Sequence, residues 1–170
     1  MIILGIDPGT ATTGYGVVEK KGSKVTHIGH GAILTPKEDA IEARLLAIYN
    51  ETNVLLETYK PDSLAIEKLF FGNNVNTALL VGRSIGVILL AAVQRGLPCT
   101  EYRPVEVKMA VTGYGGAEKR QVQQMVKQLL SLPAIPKPDD AADALAIAIC
   151  HAHSAHLMVL SRLHSQRPNR

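Results

Sequence analysis

Residues 1–18 read MIILGIDPGTATTGYGVV, and how this stretch divides decides the fold. From Met1 to Ile6 it is apolar but for Gly5, the pattern of a strand buried on both faces. Asp7 stands at the C-terminal end of that strand, and Pro8-Gly9 turns the chain at once. Val17 and Val18 mark a second strand. A carboxylate at the end of a central strand, beside a turn of small residues, is where α/β folds gather ligands and chemistry. The same residue would serve equally as a turn cap, and only acids further along the chain decide between the two.

Working outward, residues 18–23 (VEKKGS) read as a hairpin turn and residues 24–34 as a third strand. Short connections make the first three strands an antiparallel meander. Thr35-Pro36-Lys37-Glu38 has the form of a helix start, with Thr as N-cap, Pro at the first position and Glu three residues on. Ile41, Leu45, Ile48, Thr52, Leu55 and Tyr59 then recur at steps of four and three until Pro61. Residues 63–67 (SLAIE) are a fourth strand. The intervening helix makes it a crossover, parallel to a neighbour and best placed beside the first strand. It too ends in a carboxylate, Glu67, which would then lie next to Asp7.

Phe70 and Phe71 are the only phenylalanines in the chain. They suit a hydrophobic staple for the next helix, capped by Asn73 or Asn74, or an aromatic that stacks on a base. That helix spans about residues 74–95 and ends at Gly96. Val75, Leu79, Gly82, Gly86, Leu89 and Val93 form one stripe, while Leu80, Val87 and Leu90 widen the apolar arc. Burial on two sides is implied, with Gly82 and Gly86 admitting a close neighbour: this protein's own sheet or a second copy. Residues 97–102 are a fifth strand, and Pro104 opens a short helix carrying Lys108. Gly113, Gly115 and Gly116 form a loop before another amphipathic helix over residues 117–131. Lys119 and Arg120 stand at its start, but the spacing is not that of a phosphate-binding P-loop.

Composition narrows the classes. The chain has 170 residues, 46% hydrophobic, with a net charge of +3. That is enough for one compact domain with a sizeable core. The uncharged apolar run at residues 85–93 is shorter than the ~20 residues a bilayer requires, and no signal peptide is recognisable. Cys99 and Cys150 lack metal or redox spacing and are expected as free thiols in a reducing cytoplasm. Residues 103–170 hold nine Lys/Arg against five Asp/Glu, three of them packed together as Asp139, Asp140 and Asp143. A basic surface beside an acidic cluster suits a nucleic-acid enzyme.

Those three acids open the last helix, DDAADALAIAICHAH. Asp139 suits an N-terminal dipole role. Asp140 and Asp143, three apart, share a face that continues into Ala, Leu and Ile and therefore points inward. Carboxylates carried to a sheet need a cation there. Together with Asp7 and Glu67 they would repel one another and raise each other's pKa. A divalent ion resolves the conflict, and hard oxygen donors point to Mg²⁺ or Mn²⁺.

IDPGTATTGYGVV, IEKLFF, GGAEKRQVQQMVKQLL and DDAADALAIAICHAH, in this order and spacing, resemble the RuvC-type Holliday junction resolvases. The resemblance runs from residue 1 to about His153. It implies an α/β, ribonuclease H-like fold with a five-stranded mixed sheet flanked by helices. It implies a homodimer that nicks opposed strands of four-way DNA junctions symmetrically, in recombination and repair, leaving 5′-phosphate and 3′-hydroxyl ends. The catalytic, metal-holding acids map onto Asp7, Glu67, Asp140 and Asp143, with two Mg²⁺ ions per site. Base and backbone contacts with DNA map onto Phe70, Lys108 and Lys119, with Arg120 beside them. A branch-migration motor is implied as a partner, and no membrane. One nuclease domain over residues 1–156 is expected, followed by a basic, poorly ordered tail over 157–170. Alternatives are a nuclease for other branched DNA or RNA, a non-cutting junction binder, and a small actin-like nucleotide-binding protein, for which the chain is short.

Overall fold

The computed structural model describes residues 1–69 and 75–165, with side chains to Ser154. Phe70 and Phe71 lie outside the described residues. In chain order the elements are β1 (Ile2–Asp7), β2 (Thr12–Lys21), β3 (Lys24–Leu34), α1 (Ile41–Tyr59) and β4 (Ser63–Glu67). There follow α2 (Val75–Gln94), β5 (Cys99–Tyr102), α3 (Pro104–Thr112), α4 (Lys119–Leu129) and α5 (Asp139–Ser165). The sheet order is β3-β2-β1-β4-β5. β1, β2 and β3 pair antiparallel, whereas β1–β4 and β4–β5 are parallel. The expected meander and crossover are both present. The last helix continues to Ser165, through nine residues of the segment expected as a tail.

Strand alternation sends successive side chains to opposite faces, and two cores result. Leu4, Ile6, Val17, Leu64 and Ile66 pack with Ile48, Leu55, Ile85 and Ile88 of α1 and α2. Ile3, Val18, Ala65 and Tyr102 pack on the other face with Val107, Val122, Leu145 and Ile149 of α3, α4 and α5. By the same alternation, Asp7 and Glu67 project toward the α5 face.

α5 lies directly on β1 and β2 because glycines there leave room. A Cβ at Gly5 would collide with the Ala144 carbonyl, and one at Gly14 with the Asp140 carbonyl. At Gly16 it would stand 2.6 Å from the Leu145 amide nitrogen. Gly14 pairs with Asp7 in the β1–β2 ladder. The glycine that admits Asp140 is thus the cross-strand neighbour of the first acid.

Two sequence expectations are corrected. α1 begins at Ile41 rather than after Thr35, and its N-cap is Ala40. Thr35 is buried; its hydroxyl donates to the Thr10 carbonyl, and it accepts from Arg44 Nε at 3.0 Å. The candidate capping side chain is used to tie the end of β3 to the loop after β1. The second concerns α2. Its bounds are as expected, and although its uncharged run at residues 85–93 is short, the whole helix, with Arg83 included, is long and apolar enough to cross a membrane. Here Ser84, Ile85, Ile88, Ala91 and Ala92 are buried against the rest of the fold. Its other side is open: Leu79, Leu90 and Val93 are exposed, and a Cβ at Gly86 would meet nothing within 4 Å.

Candidate active site

Two parallel strand ends and one helix start bring the four acids to one place. Ile6 pairs with Ile66 in the β1–β4 ladder, so the next residues, Asp7 and Glu67, are neighbours at the sheet edge. α5 then delivers Asp140 over Gly14, with Asp143 one turn deeper. All four are partly buried.

Their electrostatics record the crowding. Burial pushes the Asp7 carboxyl from 3.8 up to about 8, and the charges of Glu67, Asp143 and Asp140 push the same way, against Lys119. Glu67 is raised by burial and by Asp143, against Lys108 and Lys119. Asp143 is raised by burial despite its bond to Lys119. Each shift disfavours the ionised form. A cluster of buried carboxylates that resist ionisation has an unmet need for positive charge.

Part of that need is met by Lys119. Its Nζ lies 2.8 Å from Asp143 Oδ2, and the bond raises the lysine's own pKa. α4 starts at Lys119, so the ammonium is presented from the first turn of a helix whose Val122 and Val126 are anchored in the core. Lys108 approaches from α3. Glu67, Lys108, Lys119 and Asp143 line one open cleft of about 210 Å³, floored by Val107 and Val122. Among the described residues, no three carboxylate, imidazole or thiol groups are drawn tightly enough together to hold an ion as they stand. The donor set is nonetheless all-oxygen, anionic and destabilised by its own charge, which fits a hard divalent cation.

Other expected positions fall elsewhere. Asp139 turns away to Lys137, at 2.8 Å, which lowers its pKa. Arg120 lines a separate cleft on the outer side of the α3–α4 connection. Gly113 is the left-handed C-cap of α3 (φ 76°), and its N–H is bonded to the Met109 carbonyl rather than free for a phosphate. His151 is buried, 2.9 Å from the Tyr102 hydroxyl, and burial lowers its pKa; it joins α5 to β5. Sequence reasoning did not anticipate that Tyr102 partner or the direct Lys119–Asp143 pair. The second was signalled only by a lysine at a helix start in a chain whose acids needed a cation.

Comparison with known proteins gives the family. Residues 3–151 match the model of the family described as crossover junction endodeoxyribonuclease RuvC. The protein of that name from Desulfitobacterium hafniense is 54% identical over 158 residues, covering 93% of this chain and 96% of the relative. The one from Chloroflexus aggregans is 56% identical over 155 residues, covering 91% and 94%. A solved structure of Thermus thermophilus RuvC in complex with Holliday junction substrate superposes with a TM-score of 0.88 at 36% identity, covering 93% and 96%. With near full-length identity above one half and a closely superposing fold, this chain belongs to the RuvC family of crossover junction endodeoxyribonucleases.

Proposed function

We propose that this protein is a Holliday junction resolvase that cuts the phosphodiester backbone through the acid cleft, with Mg²⁺ as cofactor. The observation carrying the proposal is the crowding of Asp7 and Glu67, at adjacent strand ends, with Asp140 and Asp143 of α5, in a family with a member solved on its junction substrate. Asp7, Glu67, Asp140 and Asp143 would hold the ions between them. When bound, the ions supply an activated water for in-line attack and charge stabilisation at the leaving 3′ oxygen. The chain itself contributes position. The β1–β4 pairing holds Asp7 and Glu67 side by side, and the glycines under α5 set the depth of Asp140 and Asp143. Lys119 neutralises Asp143 in the free protein and is placed to turn to a DNA phosphate once that carboxylate is otherwise engaged. Lys108 lies across the cleft, and Phe70, three residues past Glu67, is the proposed base contact.

Cutting two opposed strands symmetrically calls for two sites related by a two-fold axis. The exposed side of α2, with Leu79, Leu90, Val93 and the open position at Gly86, supplies an apolar face for a second copy. A branch-migration motor as partner and a cytoplasmic setting complete the reading.

The test is a labelled synthetic four-way junction with Mg²⁺, run beside linear duplex. Paired symmetric nicks are expected in the junction alone. Glu67→Gln and Asp143→Asn each remove a carboxylate worth several kcal/mol of transition-state stabilisation, so cutting should fall roughly 100-fold or more. Affinity should persist, because phosphate contacts come from basic residues. Retained cutting in both variants would overturn the assignment.

A further inference from the structure

We infer that Tyr114 is a stacking platform for a nucleobase of the DNA strand next to the cleavage site, an inference resting on the junction-cutting function proposed above. Tyr114 is 66% exposed, and its ring rests on the loop that carries it. A Cβ at Gly116 would stand 2.6 Å from the Tyr114 Cζ and hydroxyl. The hydroxyl end of the ring therefore lies over the Gly116 backbone, and a side chain there would have to displace it. The loop beneath is also braced. The Tyr114 N–H donates to Thr112 Oγ1 at 3.1 Å, and that hydroxyl lies 2.8 Å from the Lys108 carbonyl. Gly115 packs against Val105. Part of the ring thus rests on the protein while the remainder is left to solvent. A ring that already rests on a hydrogen-bonded loop has less freedom to lose when a base stacks on it.

The surroundings select the occupant. Tyr114 rims an open cleft of about 490 Å³ with Thr112, Glu118, Arg120, Gln124 and Met125. Ala117, Met125 and the Tyr114 ring give it apolar surface between polar side chains, with room for a planar base. Arg120 and Gln124 stand four apart on α4 and share a face, offering a guanidinium and an amide to the edge or phosphate of that base. Glu118 is the N-cap of α4, so the one acid on the rim has a local structural role. The cleft is separate from the acid site, but the same two helices line both. Lys108 is one turn before Thr112 on α3, and Lys119 immediately precedes Arg120 on α4, so adjacent residues of one hairpin serve the two clefts. A strand whose phosphate meets Lys119 would bring a neighbouring base to Tyr114.

The experiment places 2-aminopurine at single positions flanking the cut in a synthetic junction. Fluorescence and binding are measured with wild type, Tyr114→Phe, Tyr114→Ala and Gly116→Ala, in chelator. Cutting is then followed after Mg²⁺ is added. At one position, wild type and Tyr114→Phe should quench the probe, whereas Tyr114→Ala and Gly116→Ala should not. Removing the ring should weaken junction binding roughly 5- to 100-fold, as expected for loss of one base–aromatic stack. The salt dependence should be unchanged, because no charge is lost. Melting temperatures of both Tyr114 variants should match wild type, the ring being largely outside the core. Equal quenching and affinity in wild type and Tyr114→Ala would overturn the stacking role while leaving junction cutting intact. Ring-dependent quenching in a wild-type protein that does not nick the junction would refute the proposed activity and sustain the platform.

Discussion

Replacing Asp7 by Asn should make the metal-free protein more stable at alkaline pH, by an amount that shrinks and reverses toward acid. The wild-type carboxyl is pushed up to about 8 from 3.8. Below 3.8 it is protonated in both the folded and the unfolded chain. Between 3.8 and 8 the folded protein keeps a proton that the unfolded chain releases, so stability falls as pH rises, by ~1.4 kcal/mol per pH unit. Over the whole interval the ceiling is about 6 kcal/mol. An amide is neutral throughout and escapes this loss. Its buried N–H groups return roughly 1–3 kcal/mol as unmet hydrogen bonds. The balance at pH 8 is a gain of about 3 kcal/mol, or roughly 6–12 °C in melting temperature for a domain of this size. At pH 4, where the wild-type carboxyl is largely neutral, the amide's unmet hydrogen bonds should leave the variant about 1–2 kcal/mol less stable than wild type. The assay is thermal unfolding of both proteins in chelator across pH 4–9, repeated with Mg²⁺ at pH 8. The ion should stabilise wild type, by mass action on the folded state, and do little for Asp7→Asn. A difference that stays flat with pH, or a variant that melts below wild type at pH 8, would refute the view that Asp7 is held against ionisation.

Lys119→Ala removes the 2.8 Å contact with Asp143; junction binding should weaken, with a salt slope shallower by about one counterion in a titration of affinity against ionic strength. Gly14→Ala sets a methyl against the Asp140 carbonyl. It should lower stability by roughly 3 kcal/mol and abolish cutting even in the fraction that calorimetry shows to be folded. For α2, light scattering at micromolar concentration should give twice 18.3 kDa, and Val93→Asp, on its exposed side, should give the monomer mass with an unchanged circular dichroism spectrum.

The fold was legible where hydrophobic pattern and punctuation agreed. The run before Asp7 could be little else than a central strand, and Gly96, now seen with φ of 68°, closed its helix as expected. The start of α1 misled because a local signal met a tertiary competitor. Thr35 has the right neighbours for a cap, but the loop after β1 offers its hydroxyl a carbonyl acceptor, and the helix begins six residues later. Nothing within the Thr35–Glu38 window reveals that acceptor. The bounds of α2 were legible; what one charge, Arg83, hid was that the whole helix is apolar enough to cross a membrane, because it ends the uncharged run without ending the helix.

For the site, strand parity makes the deeper point. Asp7 faces α5 because Ile3 and Gly5 do, and Glu67 faces it because Ala65 does. These are period-two facts, readable from residue numbers once β1 and β4 are known to be adjacent and parallel. Gly5, Gly14 and Gly16 were equally visible in the sequence, yet a glycine within a strand has several explanations. Only the pairing of Gly5 with Gly16, and of Asp7 with Gly14, turns three scattered residues into one patch. That patch lets α5 approach closely enough to carry Asp140 and Asp143 to the sheet edge. The same closeness buries the carboxylates and raises their pKa values. The packing that assembles the acids therefore also creates the positive-charge deficit at the cleft, answered in the free protein by Lys119 and, in the proposed reaction, by the cation the acids would hold.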